Sequence, residues 1–229
     1  MKHIFNFLLY PDIQPMDFIG PWEVIATWQN LCPNEVEMHI VSEKIGSIDC
    51  LNNITLMSQY DFMTAPQADY LFVPGGFGRI KQMHNQSLIN FIQQQAKHCK
   101  YVIAVCTGTF LLAAADLLKD KTATTYWRAL PELETYQEIK ICEHRVVKDG
   151  KLWFSGGISS GIDLAFNLIN DIAGEEIAGE VQLMFEYFPE DKIYAKKQQL
   201  KSIPRYPTLS QATPIRLPQY IQEQLKDED

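Results

Sequence analysis

What the sequence lacks limits its function first. Its 229 residues contain no long Lys/Arg run and carry a formal net charge of -8, which argues against a nucleic-acid binder held by phosphate contacts. No apolar stretch approaches the roughly 18 residues that read as a membrane span. The opening MKHIFNFLLY has a basic start and an apolar body, but it breaks at Pro11-Asp12 without a small-residue cleavage site. It reads as a first strand, not a signal peptide. The five cysteines, Cys32, Cys50, Cys99, Cys106 and Cys142, are odd in number and form no Cys-x-x-Cys pair. They fit free thiols in a reducing, cytoplasmic setting better than a disulfide framework. No His-Cys neighbours have zinc-ligand spacing, so zinc is not expected, and nothing in the sequence implies another metal or an organic cofactor. Internal repeats are absent too. What remains, 46% apolar and 21% charged residues, is the balance of one globular domain with a sizeable core.

Strand-like and helix-like segments alternate along that domain. Ile4 to Tyr10, Val36 to Val41, Tyr70 to Val73 and Tyr101 to Val105 read as strands, with Thr122 to Tyr126 and Ile139 to Cys142 as shorter ones. Ile48 to Met57 carries a turn at Leu-Asn-Asn, and residues 146–157 fold across Asp149-Gly150 as a hairpin. Helices are expected over Pro21 to Gln29, with proline in the first turn, over 86–98, over Phe110 to Leu118, over 160–173 and over 175–187. Ser160, with Asp163 three residues on, suggests a capped helix start. This alternation implies an α/β fold, flavodoxin-like and doubly wound, with a mostly parallel sheet covered on both faces. Ligands of such sheets sit outside the carboxyl ends of the strands, at a crossover point. After about residue 190 the chain turns rich in Pro, Lys and Gln. Residues 191–229 are read as an extension without its own core beside the 1–190 domain.

The stretch YVIAVCTGTFLLAAADLL (101–118) places Cys106 on a tight turn between a strand and a helix. A helix start near the sulfur favours the thiolate, the nucleophilic form. Backbone N–H groups there and in PGG (74–76) can hold developing negative charge. Asp17, in QPMDFIGP, follows the first strand and so belongs to the same sheet edge, where a carboxyl can shuttle protons for a thiol. Each residue also has an ordinary role: a packing cysteine, a turn aspartate, glycines in a loop of unusual backbone angles. Spacing alone does not choose between the two.

The segments FVPGGFG, VIAVCTGTFLLAAADLL, GGISSGIDLAFNLI and VQLMFEYFPE resemble the ThiJ/PfpI superfamily, the class I glutamine amidotransferase-like fold, over residues 2 to about 190. The pairing of Asp17 in MDFIGPWEV with CTGT is most similar to the isonitrile hydratase branch. That resemblance implies Cys106 as nucleophile, Asp17 as acid-base carboxyl, and Thr107 as a contributor through its N–H and hydroxyl. It implies Gly75 or Gly76 as the second anion-binding amide, and Ile158 and Ser159 as pocket lining. Trp22, Tyr126 and Trp127 are candidates for an apolar wall. Where many superfamily members carry histidine, this chain has Tyr126, a poor base at neutral pH, which argues against protease chemistry; the last third contains no His-x-Glu, which argues against glutamine amidotransfer. The expected activity is an isonitrile hydratase-like lyase making an N-substituted formamide through a Cys106 thioimidate. The alternatives are a glyoxalase- or deglycase-type enzyme acting on small dicarbonyls, and a ligand-binding or cysteine redox-sensing domain. The expected partners are a small-molecule substrate and, by resemblance, a second copy in a homodimer; the clustered Leu183, Met184 and Phe185 offer either a contact surface for it or inward packing. Neither nucleic acid nor membrane is expected.

Overall fold

The computed structural model describes residues 2–189, 193–210 and 212–225. Its central sheet has seven strands: β1 (His3–Leu8), β2 (Val36–Ser42), β3 (Tyr60–Asp61), β4 (Tyr70–Val73), β5 (Tyr101–Val105), β6 (Val146–Asp149) and β7 (Leu152–Ser155). Their order across the sheet is β6-β7-β5-β4-β1-β2-β3, parallel throughout except for the β6-β7 hairpin. All four residues of β4, and four of five in β5, are buried. Parallel strands covered on both faces read as unbroken apolar runs for this reason. The chain leaves β1 towards β2 and β3, then returns to the other side of β1 as β4, so the crossover point lies where β1 and β4 end. The doubly wound α/β fold expected from the alternation is observed.

Helices α1 (Pro15–Leu31), α4 (Ser160–Ala173) and α5 (Glu175–Phe185) pack together as one layer. Helices α2 (Gln86–His98) and α3 (Thr109–Ala114) form the other. Among the described residues, no helix is long and apolar enough to cross a membrane.

Several boundaries differ from those expected, each for a local reason. The proline at the start of α1 is Pro15; Pro21 lies inside the helix, where it removes one main-chain bond, to the Asp17 carbonyl. Helix α3 ends at Ala114, because Asp116 turns left-handed at φ 57. Only Thr122–Ala123 and Lys140–Ile141 pair as strands; Thr124 and Thr125 bond to the turn after β5 instead. Ser159, not Ser160, occupies the position before α4, without a side-chain cap. The Ser160 hydroxyl donates to the Gly157 carbonyl, and Asp163 takes Arg145 and the Tyr187 hydroxyl. On α5, Leu183 and Met184 are 70% and 61% exposed, while Phe185 packs edge-on against Phe166.

The described part of the extension lies back on the domain. Tyr206, Leu217 and Leu225 are buried. Arg216 pairs with Glu134 and Glu143, and the Thr208 hydroxyl donates to Glu132, itself paired with the buried Arg79. Tyr206, Leu217 and Leu225 cover domain surface, while Ile193, Tyr194 and Ile215 stay exposed.

Candidate active site

Cys106 follows β5 directly and has φ 56, a left-handed conformation that costs a non-glycine residue about 1–3 kcal/mol. The elbow is pinned from three sides. Its N–H donates to the Gly156 carbonyl at 3.2 Å, and its carbonyl accepts the hydroxyls of Thr125 at 2.8 Å and Thr109 at 3.3 Å. The buried pair Thr124 and Thr125, in the segment where other superfamily sequences suggested histidine, thus holds the turn rather than the chemistry.

The loop after β4 meets the turn after β1 beside the elbow. The Gly75 N–H donates to Asp17 Oδ2 at 3.1 Å, and the Gly76 N–H donates to the Thr107 hydroxyl oxygen at 3.0 Å. A side chain at Gly75 would come within 2.9 Å of the Thr107 amide, its hydroxyl and the Asp17 carboxylate, so only glycine allows this approach. Neither glycine amide is free to stabilise an oxyanion, contrary to the sequence-based assignment: the first positions Asp17 and the second positions Thr107. The Thr107 amide supports the Cys106 sulfur. Tyr10, whose buried hydroxyl donates to the Pro74 carbonyl at 2.6 Å, fixes the loop from behind.

Asp17 and Cys106 are 1% and 4% exposed, and their side chains face each other. Burial pushes the Asp17 carboxyl up to about 8, against the smaller lowering by contact with the Cys106 thiol and by the Gly75 N–H. The Cys106 thiol is raised well above its ordinary range, first by burial and then by repulsion from an ionised Asp17. The helix-start effect does not win: α3 is six residues long, and loss of water from the sulfur dominates. The resting pair at neutral pH is therefore a thiol beside an un-ionised carboxylic acid, not the primed thiolate expected from sequence. Asp17 Oδ1 has no hydrogen-bond partner among the described residues.

Cys106 and Thr107 open onto a cavity of about 130 Å³, walled chiefly by Phe77, Tyr126, Arg128, Ile158 and Tyr206. Tyr126 and Ile158 thus stand where the sequence put them. Trp22 does not: it stacks on Phe18 at 5.5 Å and meets Phe7 edge-on at 5.0 Å inside the α1 layer. Trp127 lines a separate small cleft beside the extension. Ser159 is exposed and accepts a bond from Arg145 instead of facing the cavity. Sequence reading missed Phe77, although it follows PGG directly, and Arg128, the neighbour of Trp127. It also missed Tyr206, for which a lone tyrosine between Arg205 and Pro207 gives no signal. Among the described residues, no cluster of three His, Cys, Asp or Glu side chains is placed to hold a metal.

Gly157 closes the back of the site. A Cβ there would meet Tyr126 Cδ2 at 2.5 Å and the Cys106 sulfur at 3.1 Å. Gly157→Ala is expected to displace the Tyr126 ring and cost about 1–3 kcal/mol of stability. Chemical denaturation checks the cost, and a variant as stable as the parent contradicts this packing.

Residues 6–171 match the DJ-1/PfpI family. The chain is 37% identical to an isonitrile hydratase of Pseudomonas putida over 184 residues, which covers 80% of this chain and 78% of that one. It is 25% identical to the HTH-type transcriptional regulator CdhR of Pseudomonas aeruginosa over 186 residues, 81% of this chain but 55% of the regulator. Among solved structures, a ThiJ/PfpI family protein from Pseudomonas syringae superposes with a TM-score of 0.79 at 25% identity, covering 87% of this chain and 81% of that one. Drosophila melanogaster DJ-1beta superposes with a TM-score of 0.73 at 20% identity, covering 82% of this chain and all of that one.

Proposed function

The chain belongs to the DJ-1/PfpI family, and from that premise we propose that it is an isonitrile hydratase with a cysteine nucleophile. The observation that carries this reading is the buried Asp17 carboxyl packed against the Cys106 thiol at the end of a small, mainly apolar cavity, where burial raises the carboxyl to about 8 and so favours its protonated form. An isonitrile, R–NC, reacts at one atom: its terminal carbon takes up both a proton and a nucleophile. Two groups must therefore converge on a single point, one holding an available proton and the other a nucleophilic lone pair. A neutral carboxylic acid beside a thiol meets that requirement, whereas an ionised carboxylate beside a thiolate would lack the proton.

In the first step the sulfur bonds to the terminal carbon. Asp17 Oδ1 gives its proton to the same carbon and receives the thiol proton. The product is the thioimidate Cys106–S–CH=N–R, and the acid is restored. Water then adds across C=N, its proton going to nitrogen through Asp17, to give S–CH(OH)–NH–R. The C–S bond breaks as the hydroxyl oxygen becomes a carbonyl and returns its proton to sulfur. R–NH–CHO leaves and the thiol is regenerated. Splitting hydration into two additions through one covalent intermediate is the advantage of nucleophilic catalysis.

Glyoxalase-type chemistry would use the same thiol on a carbonyl but needs a base to move a proton between carbons; Asp17 is protonated at neutral pH and Tyr126 replaces the histidine. Assaying a simple alkyl isonitrile and methylglyoxal side by side separates the two. Formamide production with little lactate is expected. Lactate production without formamide would overturn the isonitrile reading.

A further inference from the structure

Of the ten residues lining the Cys106 cavity, Arg128 alone carries a formal charge. It has no ion pair with an acid among the described residues, in a chain of net charge -8. Arg79, Arg145 and Arg216 are each paired with a carboxylate. Arg128 is instead braced by neutral groups. It donates one hydrogen bond to the Pro204 carbonyl, and its guanidinium lies 6.0 Å from the Tyr126 ring centroid and 5.8 Å from that of Tyr206. Two of those three braces, Pro204 and Tyr206, belong to the extension, beyond residue 171 where the family match ends. The extension is itself anchored by Arg216 on Glu134 and Glu143. The other arginines nearby are already committed: Arg205 donates to the Ser210 and Thr213 carbonyls, and Arg79 is paired with Glu132.

We propose that Arg128, held in place by the extension, is a carboxylate anchor, and that the site takes a compact isonitrile bearing a carboxylate. This rests on the isonitrile reading above. A guanidinium fixed by one bond keeps further donors in a planar fork that matches a carboxylate, and holding the cation in advance lowers the ordering cost of binding. Cavity size limits the rest of the molecule. An apolar cavity of about 150 Å³ admits benzene, so about 130 Å³ leaves room for a short spacer between an isonitrile carbon at Cys106 and a carboxylate at Arg128. The ten lining residues include no acid to repel that anion.

The test compares isocyanoacetate with its methyl ester in the wild-type protein, Arg128→Gln and Arg128→Lys. Wild-type kcat/KM should favour the acid. In Arg128→Gln the acid-to-ester ratio should fall about ten- to hundredfold, the loss of one charge-assisted interaction, while Arg128→Lys should keep part of the preference. No preference in the wild type, or an equal loss for both substrates in Arg128→Gln, would overturn the proposal and leave the isonitrile reading standing. A second arm does not depend on turnover: calorimetric binding of N-formylglycine and its methyl ester to the same three proteins. If neither isonitrile is hydrated, the isonitrile reading fails. A preference for N-formylglycine that is lost in Arg128→Gln would still support the anchor, and equal binding of acid and ester would overturn it.

Discussion

Cys106→Ala is expected to lower formamide production from a simple isonitrile by at least about a thousandfold, the scale on which removal of a covalent nucleophile acts. The fold should survive. The Cys106 side chain accounts for little of the elbow, which is held by main-chain bonds to Gly156, Thr125 and Thr109. Alanine tolerates the left-handed backbone no worse than cysteine does, and it removes a buried polar atom that faces Asp17. Activity loss with an unchanged or slightly raised melting temperature is the expected pairing. A large loss of both would mean that the residue is structural.

Asp17→Asn should separate function from stability even more sharply. The carboxyl titrates near 8 in the folded chain and near 3.9 when unfolded. Between those values the folded state binds more protons than the unfolded state, so the contribution of this carboxyl to stability is full below about pH 4, is lost as pH rises and levels off above about pH 8. Asparagine keeps the acceptor for the Gly75 N–H but does not titrate. The variant should match the wild type near pH 4 and exceed it by about 2–5 kcal/mol at pH 8; urea denaturation at the two pH values measures this. Turnover should fall by about 10²–10⁴, the usual worth of a positioned acid-base group. Wild-type turnover should itself decline above pH 8, as Asp17 loses the proton that the first step uses. A variant less stable than wild type at pH 8 would mean that the buried carboxyl is not a burden on the fold.

Parts of this site are legible in the sequence because they are written as strand ends. Val105-Cys106, Val73-Pro74-Gly75 and the segment after Leu8 each follow a buried apolar run, and a parallel sheet brings such ends to one edge. The rest depends on facts that a linear pattern does not contain. Trp22 lies on the same helix as Asp17, yet it faces Phe7 and Phe18, and helix phase near an internal proline is hard to set from sequence. The extension shows no apolar period, so nothing announces that Tyr206 would fill a cavity wall or that Pro204 would hold Arg128. The protonation state of the pair is not written in the sequence pattern. The turn after β5 suggests a helix-stabilised thiolate, and burial, with repulsion from an ionised Asp17 as the second cause, reverses that expectation. The glycine amides follow the same logic: PGG marks an anion-binding loop, but here its donors are spent on Asp17 and Thr107.

The proposed catalysis requires Cys106 and the isonitrile carbon to share a bond during turnover. The most direct measurement is acid quenching during turnover, followed by peptide mass mapping of all five cysteines. The expected result is a mass increase equal to one whole isonitrile on the Cys106 peptide alone, which disappears when substrate is exhausted. Formamide accumulating with Cys106 unmodified, and at an undiminished rate in Cys106→Ala, would contradict it.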